Sequence, residues 1–426
     1  MAPPPLSRAT RRQFCGGLAA LPLLSGCSGA ARDPISLWAM GNEAAALPDM
    51  LRMLAFPHAE TAIDVQALPW SAAHEKLLTS FAGGSLPNVG QIGNSWLAEL
   101  DAIGALVPVP SDVARLAEDQ FPAVVNTNRI ADRLVAIPWY VDTRVQFYRS
   151  DLLARAGYAR LPLAWPRWKQ ALHALKKHAG DNGFAILMPL DEYEHLLTLA
   201  LSAGASLLRE QDTRGNFAEP AFLEALGFYK SLFDERLAPR ISGTNISNRW
   251  QEFGRGTYAV YISGPWTIGD MRARLPAAMQ DKWATTPVPG PNGIGYAAPG
   301  GSSLAVLRGH PEQEDRSWKL ISALLQPEAQ VAFQRATGDL PARMSVWQAA
   351  GLADDPIVQP FETQLNHARS LPKVPEWERI VTEMQFVAER MVRGDFTVAA
   401  AAAEMDRRAD ALLEKRRWMI ERDRLS

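Results

Sequence analysis

Between Ile35 and Leu106 the chain alternates apolar runs with amphipathic segments three times over, and this constrains the fold more than any other feature. "ISLWAM" (35–40), "AIDVQALPW" (62–70) and "PNVGQIG" (87–93) have the length and apolar content of strands. "NEAAALPDMLRMLAFP" (42–57), "SAAHEKLLTSFAGG" (71–84) and "NSWLAELDAIGAL" (94–106) carry apolar residues at helical spacing. Strands that return through helices build a mostly parallel sheet with helices on its faces, so the expected class is α/β.

From about residue 149 longer helical stretches take over: "RSDLLARAG", "WPRWKQALHALKKHAG", "DEYEHLLTLALSAGA" and "PAFLEALGFYKSLFDERL". Short strands are expected at 184–190 and 257–264, strand and loop at 285–308, and a long helix near 397–420. A chain of 426 residues exceeds the roughly 250–300 at which single cores stop growing. At least two lobes are expected, and with no low-complexity linker the chain crosses between them more than once.

The stretch "AIPWYVDTRVQFYR" (136–149) reads as a strand with an unusual polar face. Side chains alternate, so Ile137, Trp139, Val141, Val145 and Phe147 point to one side, and Tyr140, Asp142, Arg144 and Gln146 to the other. The first side suits a core. The second is either a solvated sheet face or the polar lining of a cleft.

Several chemistries are excluded. The sequence lacks H-E-x-x-H, C-x-x-C, a phosphate-binding G-x-x-x-x-G-K-[ST] loop and a G-x-S-x-G nucleophile elbow, so neither a metal nor a cofactor is expected. "GIGYAA" (293–298) follows a proline-rich loop and not a strand, which argues against a dinucleotide site. His173 and His178 sit in a lysine-rich helix and read as solvated. A formal charge of −2 offers no field for nucleic acid. What stands out is thirteen tryptophans, of which Trp70, Trp96, Trp139, Trp250 and Trp266 lie at strand ends beside glycine or acid. Flat aromatic rings beside carboxylates, amides and arginine suit a sugar, which has an apolar C–H face and a rim of hydroxyls. Trp377, in a helical region, reads as packing.

The N-terminus reads as a leader (1–27). "TRRQF" (10–14) is a twin-arginine pattern, the apolar stretch from Phe14 to Gly26 is about half the roughly 20 residues of a membrane span, and "LSGC" ends at Cys27. That ending is similar to a bacterial lipoprotein signal in which Cys27 is lipidated. Cys15 would leave with the leader, so no internal disulfide is expected.

The series from 136–153 through "WPRW", "YISGPWTIGDMR" (261–272), "APGGSSLAV" (298–306) and "TGDLPAR" (337–343) resembles the family 1 extracellular solute-binding proteins, the sugar receptors of bacterial ABC importers. The resemblance implies a periplasmic, two-lobed fold of the type II kind, with crossings near 143, 285 and 338. It divides the chain into an N-lobe (33–143 and 286–337) and a C-lobe (144–285 and 338–426) around a ligand cleft. It also implies roles: Glu43 and Asn94 on the N-lobe side, Tyr140 and Asp142 on ring and hydroxyls, and Trp266 as the C-lobe platform. Gly300, Gly301 and Ser302 would let the backbone approach the ligand, Arg343 would reach back into the cleft, and Trp70, Trp96, Arg144 and Trp250 are further candidates. The implied protein is no enzyme but a monomeric, lipid-anchored receptor that binds a neutral disaccharide such as maltose or trehalose and docks on permease subunits. Two alternatives remain open: a secreted glycoside hydrolase using Glu43 and Asp142, and a receptor for another solute such as a glycerol phosphate.

Overall fold

The computed structural model describes residues 33–54, 62–246 and 248–422, so the leader and Cys27 lie outside the described residues. Two mixed sheets organise these residues. The larger has six strands in the order Leu340–Pro341, Ile137–Asp142, Gly300–Val306, Val89–Gly93, Ile35–Met40 and Ile63–Leu68. The smaller has the order Trp283–Thr286, Val145–Arg149, Val260–Ser263 and Ile186–Leu187.

The βα alternation at the start of the chain produces a parallel set. Ile35–Met40 pairs in parallel with Ile63–Leu68 and with Val89–Gly93, through helices Gly41–Met53 and Trp70–Ala82. The rest of the larger sheet is antiparallel, which corrects the expectation of a mostly parallel sheet. The reason is the connectivity. Gly300–Val306 and Leu340–Pro341 return from the other lobe, the first between Val89–Gly93 and Ile137–Asp142 and the second at the edge, without a helical crossover in the same sheet, so nothing compels a parallel approach.

The stretch 136–149 is two strands and not one. Ile137–Asp142 belongs to the larger sheet and Val145–Arg149 to the smaller, so the chain changes lobes at Thr143–Arg144. A second crossing runs from Thr286 to Gly300. The third comes after Pro341, because Leu340 and Pro341 pair with Val141 and Tyr140; the larger sheet thus takes residues from beyond 337, where the resemblance ends the N-lobe.

Each lobe buries its own core. Ile35, Leu37, Trp139, Leu304 and Phe333 pack on one side of the larger sheet, and Met40, Leu77, Ile92, Leu100 and Leu307 on the other. The other lobe packs Trp168, Leu199, Phe222 and Leu226 with Trp377, Met384 and Met405 of the C-terminal helices. A third cluster, with Val141, Phe147, Leu340, Trp347 and Phe361, runs past the crossings and ties the two sheets together. The C-terminal stretch is three helices, Trp377–Arg393, Val398–Leu412 and Glu414–Ile420; the expected long helix breaks at buried Leu413, whose ψ of 3° departs from helical geometry.

Candidate functional site

A cavity of about 980 Å³ opens between the lobes, where the crossings bring strand ends of both sheets together. Its first wall grows from Ile35–Met40. Gly41 turns the chain from strand into helix with a φ of +55°, and a Cβ there would press on the Glu43 carboxylate. Glu43 therefore stands in the first helical turn, facing the cavity and only 6% exposed. It is held in place by neutral donors. The Tyr140 hydroxyl donates to Glu43 Oε1 at 2.7 Å and Gln91 Nε2 donates to the same oxygen at 3.3 Å.

The polar face of Ile137–Asp142 supplies Tyr140 and Asp142 to the cavity. Arg144, just past the crossing, donates to Asp142 at 3.3 Å and to Glu194 at 3.1 Å, and its guanidinium lies 4.9 Å from the Trp266 ring centroid. The arginine thus braces both lobes' contributions. Gln146 does not share this face: it is fully buried, bonded to Trp168 and to the Pro287 carbonyl, because it follows the crossing into the other sheet. Gly300 and Gly301 lie opposite Asp142 and Val141; a Cβ on Gly300 would overlap the Asp142 carboxylate and one on Gly301 the Tyr140 carbonyl. That fixes the backbone against the cavity wall.

Three tryptophan rings border the space with partly open faces: Trp70, Trp96 and, from the other lobe, Trp266, which is 39% exposed. Trp96 is set by its neighbours, edge-on to Trp70 at 5.7 Å and stacked on His74 at 4.9 Å, with His74 bonded to Glu99 at 2.9 Å. Asn94 lines the cavity, but its amide is engaged: Nδ2 donates to the Gly300 carbonyl and Oδ1 accepts from Ser303.

Burial dominates the electrostatics. It raises the Glu43 carboxyl above the ordinary carboxylate range against the hydrogen bonds it accepts, and it raises Asp142 even though Arg144 pulls the other way. Glu378 is also raised by burial, despite a hydrogen bond from Ser95.

Three expected residues lie elsewhere. Arg343 is not on the cavity; it pairs with Asp119 at 3.0 Å and donates to the Leu325 carbonyl, because the third crossing carries it past the larger sheet's edge. Trp250 packs edge-on to Tyr261 in the core. Ser302 is fully buried, its hydroxyl donating to the Ile92 carbonyl inside the sheet.

Beyond the residues expected from the sequence, the cavity is lined by Glu194, Lys373 and Glu378 and, most tellingly, by Trp377 and Asp339. Trp377 was read as packing, and it does pack at 1% exposure, yet it also lines the cavity, and its indole N–H has no partner among the described residues. Asp339 lines the cavity too, one residue before the short strand Leu340–Pro341. The one signal in the sequence was its lone acid between Gly338 and an apolar pair. Across the cleft, Lys373 donates to the Asn126 and Arg129 carbonyls at 2.7 and 3.0 Å, and Asn126 donates to Ser370, so strap 370–373 ties the lobes on this side.

A family model described as bacterial extracellular solute-binding protein matches residues 58–360. Among solved structures, the sugar-binding protein MalE from the phytopathogen Xanthomonas citri is 44% identical, with a TM-score of 0.86 over 91% of this chain and 99% of that one. The GacH receptor of Streptomyces glaucescens, solved unliganded and with acarbose, has a TM-score of 0.79 at 23% identity, over 89% and 98%. The diacetylchitobiose binding protein DasA of Streptomyces coelicolor is 22% identical over 370 residues, 84% of each chain. The fold is thus that of the two-lobed periplasmic sugar-binding proteins.

Proposed function

The chain belongs to the bacterial extracellular solute-binding proteins, and from that premise we propose that it is the sugar-capturing component of an ABC importer, holding a neutral glucose disaccharide of the maltose or trehalose kind. The observation that carries this reading is the juxtaposition of partly open tryptophan faces from both lobes with the buried Glu43 and the half-buried Asp142 around one cavity. At about 980 Å³ the space is at the upper end of the ~300–1,000 Å³ usual for small-molecule sites, ample for two sugar rings. Trp266 would stack on one ring from the C-lobe side, Trp70 and Trp96 on the other, and Glu43, Tyr140 and Asp142 would take hydroxyls, with Gly300 and Gly301 letting the backbone come close. Closure of the lobes on the sugar presents the form that docks on permease subunits. The receptor acts as an exported monomer anchored through lipid on Cys27.

A phosphorylated ligand fits poorly. Glu43, Asp142, Glu194, Asp270, Asp339 and Glu378 line the cavity against Arg144, Arg274 and Lys373, and Arg144 is already engaged by two acids. The hydrolase alternative needs one carboxyl held ionised while its partner stays protonated. Burial pushes Glu43 and Asp142 the same way, which supports binding over turnover. The test is incubation of purified protein with an aryl glucoside and, in parallel, with maltose and trehalose. Tryptophan fluorescence that responds to sugar without release of the aryl alcohol is expected; aryl alcohol release proportional to protein would reverse the assignment.

A further inference from the structure

Asp339 and Glu43 both line the cavity, and no ion pair reaches either of them among the described residues. Leu340 and Pro341 pair antiparallel with Val141 and Tyr140, and the register carried one residue further sets Asp339 opposite Asp142. Strand alternation then turns Asp339, Tyr140 and Asp142 to the same face, the one on which Tyr140 meets Glu43. Asp339 is 5% exposed and Glu43 6%. Among the described residues neither has an ion-pair partner, and Arg144, the cation of this wall, is engaged by Asp142 and Glu194.

The groups facing the pair are Tyr140 and Asp142 from Ile137–Asp142, Gln91 from Val89–Gly93, and Thr337 from the end of helix Pro327–Thr337. None of them carries positive charge. Two buried carboxylates on one such uncompensated wall repel when both are ionised, and the usual outcome is that one keeps its proton. The hydrogen bonds decide which. Glu43 accepts from Tyr140 and Gln91, both of which favour its ionised form, whereas the Thr337 hydroxyl beside Asp339 donates to the Phe333 carbonyl and accepts from the Asp339 backbone N–H.

We propose that Asp339 is a ligand-contacting residue, and that it and Glu43 hold one proton between them in the unliganded cleft, so that the pair presents one donor and one acceptor to a single sugar hydroxyl. A hydroxyl has one hydrogen and can donate to one carboxylate; bridging two requires that the other carboxyl donate back. The subsite therefore reads a neutral hydroxyl and rejects an anion, which rests on the sugar-receptor reading above. Burial first, and then the Glu43 charge, hold the Asp339 carboxyl well above its ordinary range, in keeping with this arrangement.

The sign of the pH effect follows. A carboxyl raised in the folded state contributes stability below its unfolded pKa, and that contribution is lost as pH rises through the folded value. The experiment compares wild type with Asp339→Asn, whose carboxamide keeps a donor and cannot titrate. Thermal melts of the sugar-free protein from about pH 4 to about pH 8 should show the wild type losing melting temperature relative to the variant as pH rises. Calorimetry with the tightest-binding disaccharide should show wild-type affinity falling at least about threefold from pH 5.5 to pH 8.5, and the variant's pH slope flattened, whatever its absolute affinity. If Asp339→Asn does not fold, Glu43→Gln takes its place: without the Glu43 charge, the Asp339 carboxyl that burial still raises should make melting temperature fall less steeply with pH than in the wild type. Parallel melting profiles, or an unchanged slope of affinity, would overturn the shared proton. Absence of binding by every sugar at every pH would instead sink the receptor reading, and the sugar-free melts would still decide the pair.

Discussion

Trp266→Ala separates a binding platform from a packing residue. Trp266 is 39% exposed and its described ring partner is the Arg144 guanidinium at 4.9 Å, so its removal takes little from either core. The stability cost is that of a partly exposed cation–π contact, about 0.5–1 kcal/mol. The binding cost is larger. Stacking contributes about 0.5–1.5 kcal/mol beyond area, and a sugar face covering roughly 60 Å² of ring at about 25 cal/mol per Å² adds about 1.5 kcal/mol. A loss of about 2–3 kcal/mol is a roughly 30- to 150-fold weaker Kd. Trp377→Ala should behave differently, because a 1% exposed indole in the C-lobe core leaves a void: about 3–5 kcal/mol of stability, with affinity falling as well. Urea unfolding and calorimetry on both variants give the two costs side by side. The reasoning fails if Trp266→Ala binds within about threefold of wild type, or if its stability loss matches its affinity loss.

Arg343→Ala should leave sugar affinity unchanged and cost at most about 1 kcal/mol of stability on urea unfolding, since its partner Asp119 is a partly exposed ion pair outside the cavity; a tenfold affinity loss would restore Arg343 to the site. Arg249→Met should make acid unfolding begin at higher pH. Burial alone would raise Glu192, but His195 and Arg249 outweigh it and hold Glu192 at about 2, so its contribution to stability is present above the unfolded value of 4.5 and lost as pH falls towards 2; an unchanged acid midpoint in circular dichroism would contradict this. Cys27→Ala should move the protein from the membrane fraction to the soluble one without changing affinity, because the tether precedes both lobes; retention in membranes would show that another element anchors it.

Much of the candidate site was legible because period-two alternation is a local property. Tyr140 and Asp142 face the cavity as their spacing requires, and Glu43 follows a strand that a buried apolar run announces. The reading stopped where contacts are long-range. Nothing near Arg343 in sequence hints that Asp119, 224 residues away, takes its guanidinium. Gln146 fits the polar face by count, but the crossing at Thr143–Arg144 resets the sheet beneath it. Trp377 opens a 17-residue amphipathic helix, and amphipathic spacing says which side is buried without saying that the first turn meets a cavity. Asp339 becomes visible only when Leu340–Pro341 is known to pair beside Val141 and Tyr140.

Isothermal titration calorimetry of the purified, sugar-free protein against maltose, trehalose, glucose and glycerol phosphate tests the central claim most directly. Saturable one-to-one binding of maltose or trehalose is expected, with weaker binding of glucose because single-ring occupancy leaves buried acceptors unpaired at about 1–3 kcal/mol each, and none of glycerol phosphate. Tight binding of glycerol phosphate or glucose with both disaccharides silent would contradict it.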